Sequence, residues 1–182
     1  MGNRTILELN LGLHSLTSTE AASLAEVFYS NNTLRTISFS SDYSINNKVS
    51  LILFTAISNN SNISKIHLNN LRIQCSSDLI PLFKSLSLRS ITLPGGCLDS
   101  ALFNGLENNS SIRELSVKFA YFKGEDLGKV LKFNTALRKL ELIFCNVELS
   151  TIFKSLISNT SLLELSIVLP DVRSMTRQLS CY

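Results

Sequence analysis

Apolar residues recur along the chain in a fixed order: apolar, two variable residues, apolar, one variable residue, apolar. The first apolar residue of each copy is called here the anchor. Seven copies are present, with anchors at positions 6, 34, 63, 88, 112, 137 and 162. Successive anchors are separated by 28, 29, 25, 24, 25 and 25 residues. Repeats with so nearly constant a spacing are typical of solenoid proteins, in which each unit covers the apolar face of its neighbour.

The three apolar positions of each copy predict a short β-strand. With the anchor as position 1, the fourth and sixth positions are buried, and the third, fifth and seventh face the other way. A second apolar stripe lies ten, seven and six residues before the next anchor, which places it on one face of a helix. The stripe residues are Leu24, Val27 and Phe28; Leu53, Ala56 and Ile57; Leu102, Gly105 and Leu106; Leu127, Val130 and Leu131; and Ile152, Ser155 and Leu156.

Asparagine lies three residues before the anchor in six of the seven copies. Because asparagine tolerates the left-handed backbone conformation, we expect it to end the helix before the next strand begins. The fourth copy has Ser85 at this position, and fewer residues separate its anchor from the preceding strand than in the two copies before it. This copy is therefore irregular. The six asparagines are Asn3, Asn31, Asn60, Asn109, Asn134 and Asn159.

Stacked units of this kind predict an α/β solenoid. The expected architecture is a right-handed βα superhelix with a parallel sheet on its concave face and helices on its convex face. Residues 1–182 are predicted to form one domain of about seven repeats. Residues 171–182 are predicted to form a terminal helix with Met175 and Leu179 facing inward.

The sequence resembles the ribonuclease-inhibitor-like class of leucine-rich repeats from about Asn3 to Val172. The spacings of 28 and 29 residues match that class, and the later spacings are shorter. The family prefers asparagine or cysteine at the ninth position, where only Cys145 matches. The resemblance implies a curved solenoid that binds proteins on its concave face. The residues at the ninth position are His14, Asp42, Leu71, Gly96, Ala120, Cys145 and Pro170.

An apolar group in the last three repeats is the main candidate for a binding surface. Five of its members occupy the seventh and eighth positions, where the repeat does not require burial, and Tyr121 lies close to them in sequence. Monomeric proteins seldom expose large apolar patches without a function. Aromatic residues with arginine nearby are typical of binding hot spots. The alternative is that these side chains turn inward and pack the loop after each strand. The group consists of Phe119, Tyr121, Ile143, Phe144, Val168 and Leu169.

Charged residues beside this group complete the candidate site. Parallel strands lie about 4.8 Å apart, so Glu114, Lys139 and Glu164 are predicted to form a ladder of alternating charge. Arg113 and Arg138 would line an edge suited to an acidic partner, with Glu114 and Glu141 available to neutralise them. The alternative interpretation of the ladder is a self-complementary surface without function. The charged members of the predicted site are Arg113, Lys118, Arg138, Lys139, Glu141 and Glu164.

Composition narrows the remaining possibilities. The net charge of +3 gives no case for binding nucleic acid, which usually requires a clustered basic face. Four cysteines without a CxxC pair and two histidines predict neither a zinc site nor a cofactor. Cys97 and Cys145 fall in the turns after strands, where we expect them to be buried. The apolar runs are too short for membrane insertion. With no signal peptide visible, we expect a cytoplasmic protein, or one delivered to a host cytoplasm.

The function predicted from these features is binding to a partner protein, without enzymatic activity. One biological setting would be a bacterial effector that engages a host protein. The alternatives are a regulator that resembles GTPase activators and supplies Arg35 or Arg89, and the recognition fragment of a larger receptor. Unfinished repeat ends also allow an end-to-end homodimer.

Overall fold

A computed structural model of the chain describes residues 4–13, 15–41, 44–69 and 71–169. The predicted terminal helix over 171–182 lies outside the described residues, as do Asn3, His14, Asp42 and Pro170.

Strands and helices alternate along the described chain. The strands of the main sheet are β1 (Glu8–Gly12), β2 (Thr36–Ser40), β4 (Lys65–Asn69), β6 (Ser90–Leu93), β8 (Glu114–Lys118), β10 (Lys139–Ile143) and β11 (Glu164–Val168). Two-residue strands follow four of these: β3 (Ser44–Ile45), β5 (Arg72–Ile73), β7 (Gly96–Cys97) and β9 (Ala120–Tyr121). The helices are α1 (Ser18–Ser30), α2 (Asn47–Asn59), α3 (Ile80–Phe83), α4 (Ser100–Glu107), α5 (Gly124–Phe133) and α6 (Leu149–Leu156).

The seven main strands form one parallel sheet in chain order within the described residues. Equivalent repeat positions lie directly beside one another, so the register follows the repeat. The predicted α/β architecture and strand register are therefore confirmed. The third positions, for example, form one row in the order Glu8, Thr36, Lys65, Ser90, Glu114, Lys139 and Glu164.

The core lies between the sheet and the helices. The fourth and sixth positions of the five inner strands, such as Ile37 and Phe39, are buried as the pattern predicts, whereas those of β1 and β11 are only partly buried because these strands lie at the ends of the sheet. The helix stripe is also largely buried, but Val27 is 49% exposed and corrects the prediction at that position. The reason is its place in the stack, because α1 is the first helix of the described chain and packs against α2.

Capping side chains fix where several helices begin. Thr17 and Glu20 form a capping box: Glu20 N donates to Thr17 Oγ1 at 3.2 Å, and Thr17 N donates to the Glu20 carboxylate at 2.8 Å. Asn46 and Asp99 each accept a main-chain N–H of their first helical turn, at 2.8 and 3.1 Å. These bonds satisfy N–H groups that have no acceptor within the helix.

The fourth repeat is irregular, as its missing asparagine and short spacing indicate. A 3₁₀ segment at Ser76–Leu79 and the four-residue helix α3 replace the longer helix of other repeats. Pro81 lies in the first turn of α3, where its missing N–H costs no helical hydrogen bond. The strand that follows still pairs in register, so the irregularity stays on the helix side.

The asparagine column acts through its side chains and not through left-handed backbone. Asn31, Asn60 and Asn134 have φ of −82°, −82° and −74°, which is extended backbone and corrects the prediction. In Asn134, Oδ1 accepts the N–H groups of Ala136 and Leu137, each at 2.8 Å. The side chain thereby forms the turn that the left-handed conformation was expected to supply.

Four asparagines of this column, Asn60, Asn109, Asn134 and Asn159, also join their repeat to the preceding one. The Asn134 Nδ2 group donates to the carbonyls of Leu106 and Asn109, at 2.7 and 2.8 Å. In the fourth repeat Ser85 has no amide to donate, and Ser87 Oγ takes its place by donating to Asn60 O at 2.7 Å. Buried main-chain carbonyls between the repeats thus have partners throughout this column.

Removal of one member of this column should destabilise the fold. We expect Asn134→Ala to lower the free energy of unfolding by about 2–4 kcal/mol, because it leaves several buried main-chain groups without partners. Urea unfolding followed by circular dichroism measures the loss. The matched control is Asn108→Ala, an exposed asparagine on the helix side, for which a change below about 0.5 kcal/mol is expected. Equal losses in the two variants would contradict the assigned role.

Candidate binding surface

The predicted apolar group lies at the edge of the sheet where the strands end. The seventh positions Lys118, Ile143 and Val168 are register partners on β8, β10 and β11. The eighth positions continue this alignment: Phe119 N donates to Ile143 O at 2.8 Å, and Phe144 N donates to Val168 O at 2.7 Å. The last three repeats therefore hold these residues in two adjacent rows.

Most of these side chains face solvent. Phe119 is 49% exposed, Tyr121 51%, Val168 42% and Leu169 55%. Ile143 and Phe144 are half-buried. The group consequently forms a surface, called here the aromatic ledge, made of Phe119, Tyr121, Ile143, Phe144, Val168 and Leu169.

Two residues of the ledge have unusual backbone. Phe119 and Phe144 have φ of 54° and 53°, and they are the positive-φ residues other than glycine in the described chain. The left-handed conformation costs an ordinary side chain about 1–2 kcal/mol, and such strain is concentrated at functional sites. The strand residues before them are held by the sheet, so the turn directs both rings away from the core.

The two phenylalanine rings pack on each other. Their centroids are 5.4 Å apart with an angle of 30° between the planes, which is a stacked arrangement. Gly95 occupies the eighth position of the preceding repeat, and a Cβ there would lie 3.0 Å from Phe119 O and 3.3 Å from Phe119 Cβ. Glycine therefore allows the close approach of Phe119 and leaves the fourth-repeat side of the ledge without a side chain.

Cysteines border the ledge on the side away from the sheet face. Cys97 is the register partner of Tyr121 in the short β7–β9 pair and is exposed, which corrects the prediction that it is buried. Cys145 is buried as predicted, and its Sγ lies 3.3 Å from Val117 O. Burial raises the pKa of the Cys145 thiol, so it stays protonated at neutral pH.

The predicted charge ladder forms over two of its three members. Lys139 Nζ lies 2.6 Å from Glu164 Oε1 and 3.5 Å from Glu141 Oε1. The hydrogen bond that Lys139 donates to Glu164 is the main cause that raises the pKa of Lys139. Within the described ranges Glu114 takes part in no ion pair, so the ladder stops at Lys139.

The arginines of the second position bind main-chain carbonyls. Arg113 Nη1 donates to a carbonyl of its own turn at 3.0 Å and to Ala136 O of the next repeat at 3.2 Å. Arg138 Nη1 makes the same pair of bonds, at 2.9 Å and, to Ser161 O, at 3.0 Å. Arg89 Nη1 does likewise in the repeat before. These guanidinium groups thus donate to main-chain carbonyls and not to the expected carboxylates. Each one links the turn of its own repeat to the turn of the next.

A polar depression adjoins the ledge on the face of the sheet. Its floor carries the small side chains of Ser90, Thr92 and Ser116, from β6 and β8. Larger side chains lie on either side, on β4 and β10, and the open depression between them has a volume of about 460 Å³. We call this depression the polar trough; its walls are His67, Asn69, Lys139 and Glu141, and Glu114 and Lys118 lie at its ends.

His67 forms part of one trough wall. Its Nδ1 lies 3.0 Å from Thr92 Oγ1. Burial is the main cause that lowers the pKa of His67; the charges of Lys65 and Lys118 add to the shift, and Glu8 opposes it. The imidazole is therefore neutral at pH 7, and the trough wall gains no cation there.

Metal-binding clusters and membrane-spanning helices are two further features that bear on function. Among the residues that the structure describes, no group of three or more His, Cys, Asp and Glu side chains could hold a metal ion. In the same part of the chain, no helix has the length and apolar character needed to cross a membrane.

Comparison with known proteins gives likenesses in structure alone. No family model and no curated protein matches the sequence. The C-terminal domain of tropomodulin from Caenorhabditis elegans is similar over 88% of this chain and 98% of that domain, with 17% identity and a TM-score of 0.55. This chain has a leucine-rich-repeat-like fold. A leiomodin-1 domain, described as actin-binding site 2, is similar over 86% of this chain and 82% of that one, with 16% identity and a TM-score of 0.48.

Strain at Phe119 can be measured by comparing two substitutions at the same position. Glycine tolerates positive φ and alanine does not, so we expect Phe119→Gly to be more stable than Phe119→Ala by about 1 kcal/mol. The control is Phe122, which is 3% exposed and lacks positive φ. There the order should reverse, because glycine in ordinary backbone is less stable than alanine by about 0.5–1 kcal/mol. Urea unfolding measures all four variants, and the same order at both positions would contradict strain at Phe119.

Protonation of His67 should lower stability. Because its folded-state pKa is lowered, the unfolded chain binds more protons between that pKa and about 6.5, so the free energy of unfolding falls as the pH drops through this window. Urea unfolding between about pH 7.5 and 5 measures the dependence. We expect the His67→Gln variant to lose the part of the pH dependence that His67 contributes. A pH profile of stability that is the same in the variant and the unmodified chain would contradict the prediction.

Proposed function

We propose that this chain is a protein-interaction module that binds a partner protein through the aromatic ledge and the adjoining sheet face. The observation that carries the proposal is the stacked pair of phenylalanines in left-handed backbone, of which Phe119 is exposed and Phe144 is half-buried. A side chain that only filled space at these turns would gain little from such a conformation. Strain kept at a partly exposed aromatic pair is understandable if the rings have a binding role.

The size of the ledge supports this proposal. Aromatic and large apolar side chains each offer about 150–250 Å² of surface, so the four residues that are roughly half exposed leave about 300–500 Å². A stable interface buries about 800 Å² on each partner, and its centre is mainly apolar. The ledge therefore has the dimensions of an interface centre, and the trough and its charges would form the polar rim.

The predicted site residues divide into two groups under this proposal. Those of the ledge would contact the partner directly, and Lys118, Lys139, Glu141 and Glu164 would lie at its rim. Arg113 and Arg138 would hold the turns beneath the surface, since their Nη1 groups bind carbonyls. The same engagement of Arg89 gives no support to the alternative of an arginine-supplying GTPase activator.

The test is quantitative affinity capture with three forms of the chain. The double variant Phe119→Asn, Phe144→Asn removes both rings and places at each position a residue that tolerates positive φ. The matched control is Phe133→Asn, which removes a phenylalanine that is 55% exposed on helix α5. Lysates of the source cells and of candidate host cells supply the partner, and purified actin serves as one defined probe.

We expect the double variant to retain the circular dichroism spectrum of the unmodified chain. The amount of partner that it captures should fall at least about tenfold, as is typical when a binding hot spot is removed. The control should capture as much as the unmodified chain. Equal capture by the double variant and the control would overturn the proposal. Unfolding of the double variant would show instead that the rings belong to the core.

A further inference from the structure

The polar trough runs along strands β6 and β8 and across the stack of repeats. Its floor is low because Ser90, Thr92 and Ser116 are small. The strands that carry its walls, β4 and β10, are three spacings apart, or about 14 Å. Side chains on both walls reduce that width, so an α-helix about 10–12 Å in diameter does not fit, and a single extended chain does.

Strand β8 presents unsatisfied groups to the trough. The Glu114 carboxylate and the Lys118 ammonium group have no ion-pair or hydrogen-bond partner in the described part of the chain, in contrast to the paired side chains of Lys139 and Glu164. Between them, the Ser116 hydroxyl is buried and likewise without a hydrogen-bond partner among the described residues. A carboxylate and an ammonium group therefore lie in line on one strand, on either side of a buried hydroxyl, and the two charged groups are available to a ligand.

The spacing of these groups selects the conformation of a ligand. Glu114 and Lys118 are four residues apart on one face of a strand, which corresponds to about 13 Å. An extended peptide carries side chains on one face with the same period, so a basic and an acidic residue four positions apart would reach both. At the Lys118 end the chain continues into Phe119, and Gly95 beside it presents no side chain.

We propose that the trough binds an extended segment of the partner that carries a basic residue opposite Glu114 and, four residues away, an acidic residue opposite Lys118. An apolar residue next to the acidic one would then contact the aromatic ledge. This inference rests on the proposed function, because it names the chemistry of the partner at that same surface. Charge complementarity, and not apolar area, determines the direction of the bound segment.

The experiment is selection from a displayed library of random peptides of about 12 residues, which span roughly 40 Å when extended. The library is selected on the unmodified chain and on the double charge reversal Glu114→Lys, Lys118→Glu. The matched control is Glu26→Lys, Lys48→Glu, a reversal of two exposed charges on the helix side. Affinities of selected peptides are then measured by fluorescence anisotropy on all three proteins.

We expect peptides selected on the unmodified chain to carry Lys or Arg four residues from Asp or Glu, with an apolar residue beside the acidic one. Peptides selected on the charge reversal should have the basic residue beside the apolar one. Each class should bind the other protein at least about tenfold more weakly. The helix-side control should bind as the unmodified chain does.

Three outcomes would overturn the trough proposal: no enrichment on the unmodified chain, enriched peptides without the charge spacing, or equal affinity for the charge reversal. A further measurement, the affinity of the selected peptides for the ledge variant, distinguishes failure of the trough proposal from failure of the proposed function. Peptides that ignore the charge reversal but lose affinity for Phe119→Asn, Phe144→Asn would leave the ledge as the binding surface. Peptides that keep the charge pattern and bind that ledge variant unchanged would refute the ledge and retain the trough.

Discussion

The structure depends on hydrogen bonds from buried asparagine side chains between successive repeats. A solenoid must turn from helix to strand at every repeat, and each turn leaves main-chain groups away from water. Asn60, Asn109 and Asn134 satisfy them on both sides, accepting N–H groups of their own turn and donating to carbonyls of the previous repeat. The repeats are thereby fixed in register, and equivalent positions form straight rows across the sheet.

Both candidate surfaces follow from this register. The trough exists because small residues of two neighbouring strands lie side by side between larger ones. The ledge exists because the eighth positions of three repeats are adjacent and because Phe119 and Phe144 share the same left-handed turn. A stacked pair contributes about 0.5–1.5 kcal/mol, whereas the left-handed backbone costs about 1–2 kcal/mol at each of the two residues. Stacking thus offsets part of the backbone strain, and the rest is a net cost in stability.

The strand positions and their register could be predicted from the sequence. Apolar residues alternate with a period of two within each copy, and the spacing between copies is nearly constant, so that one arrangement of the strands satisfies both. The roles of turn residues could not be predicted. Asparagine suits several turn conformations, so its recurrence alone did not distinguish a left-handed residue from a side-chain bridge. The arginines at the second position also recur, and such recurrence was the available signal for a structural role. Val27 and Cys97 depart from prediction because burial at an end or in a turn depends on neighbours that the repeat does not specify.

The central claim is that the aromatic ledge faces solvent in the free chain and is covered by a partner. Hydroxyl-radical footprinting with mass spectrometry measures this directly, since it reports the accessibility of each aromatic side chain. In the free chain Phe119 and Tyr121 should react about as readily as Phe133, and the buried Phe103 should not react. Addition of the captured partner should protect Phe119 and Tyr121 and leave Phe133 unchanged. A free chain in which Phe119 is as unreactive as Phe103, or a complex in which it stays fully reactive, would contradict the account.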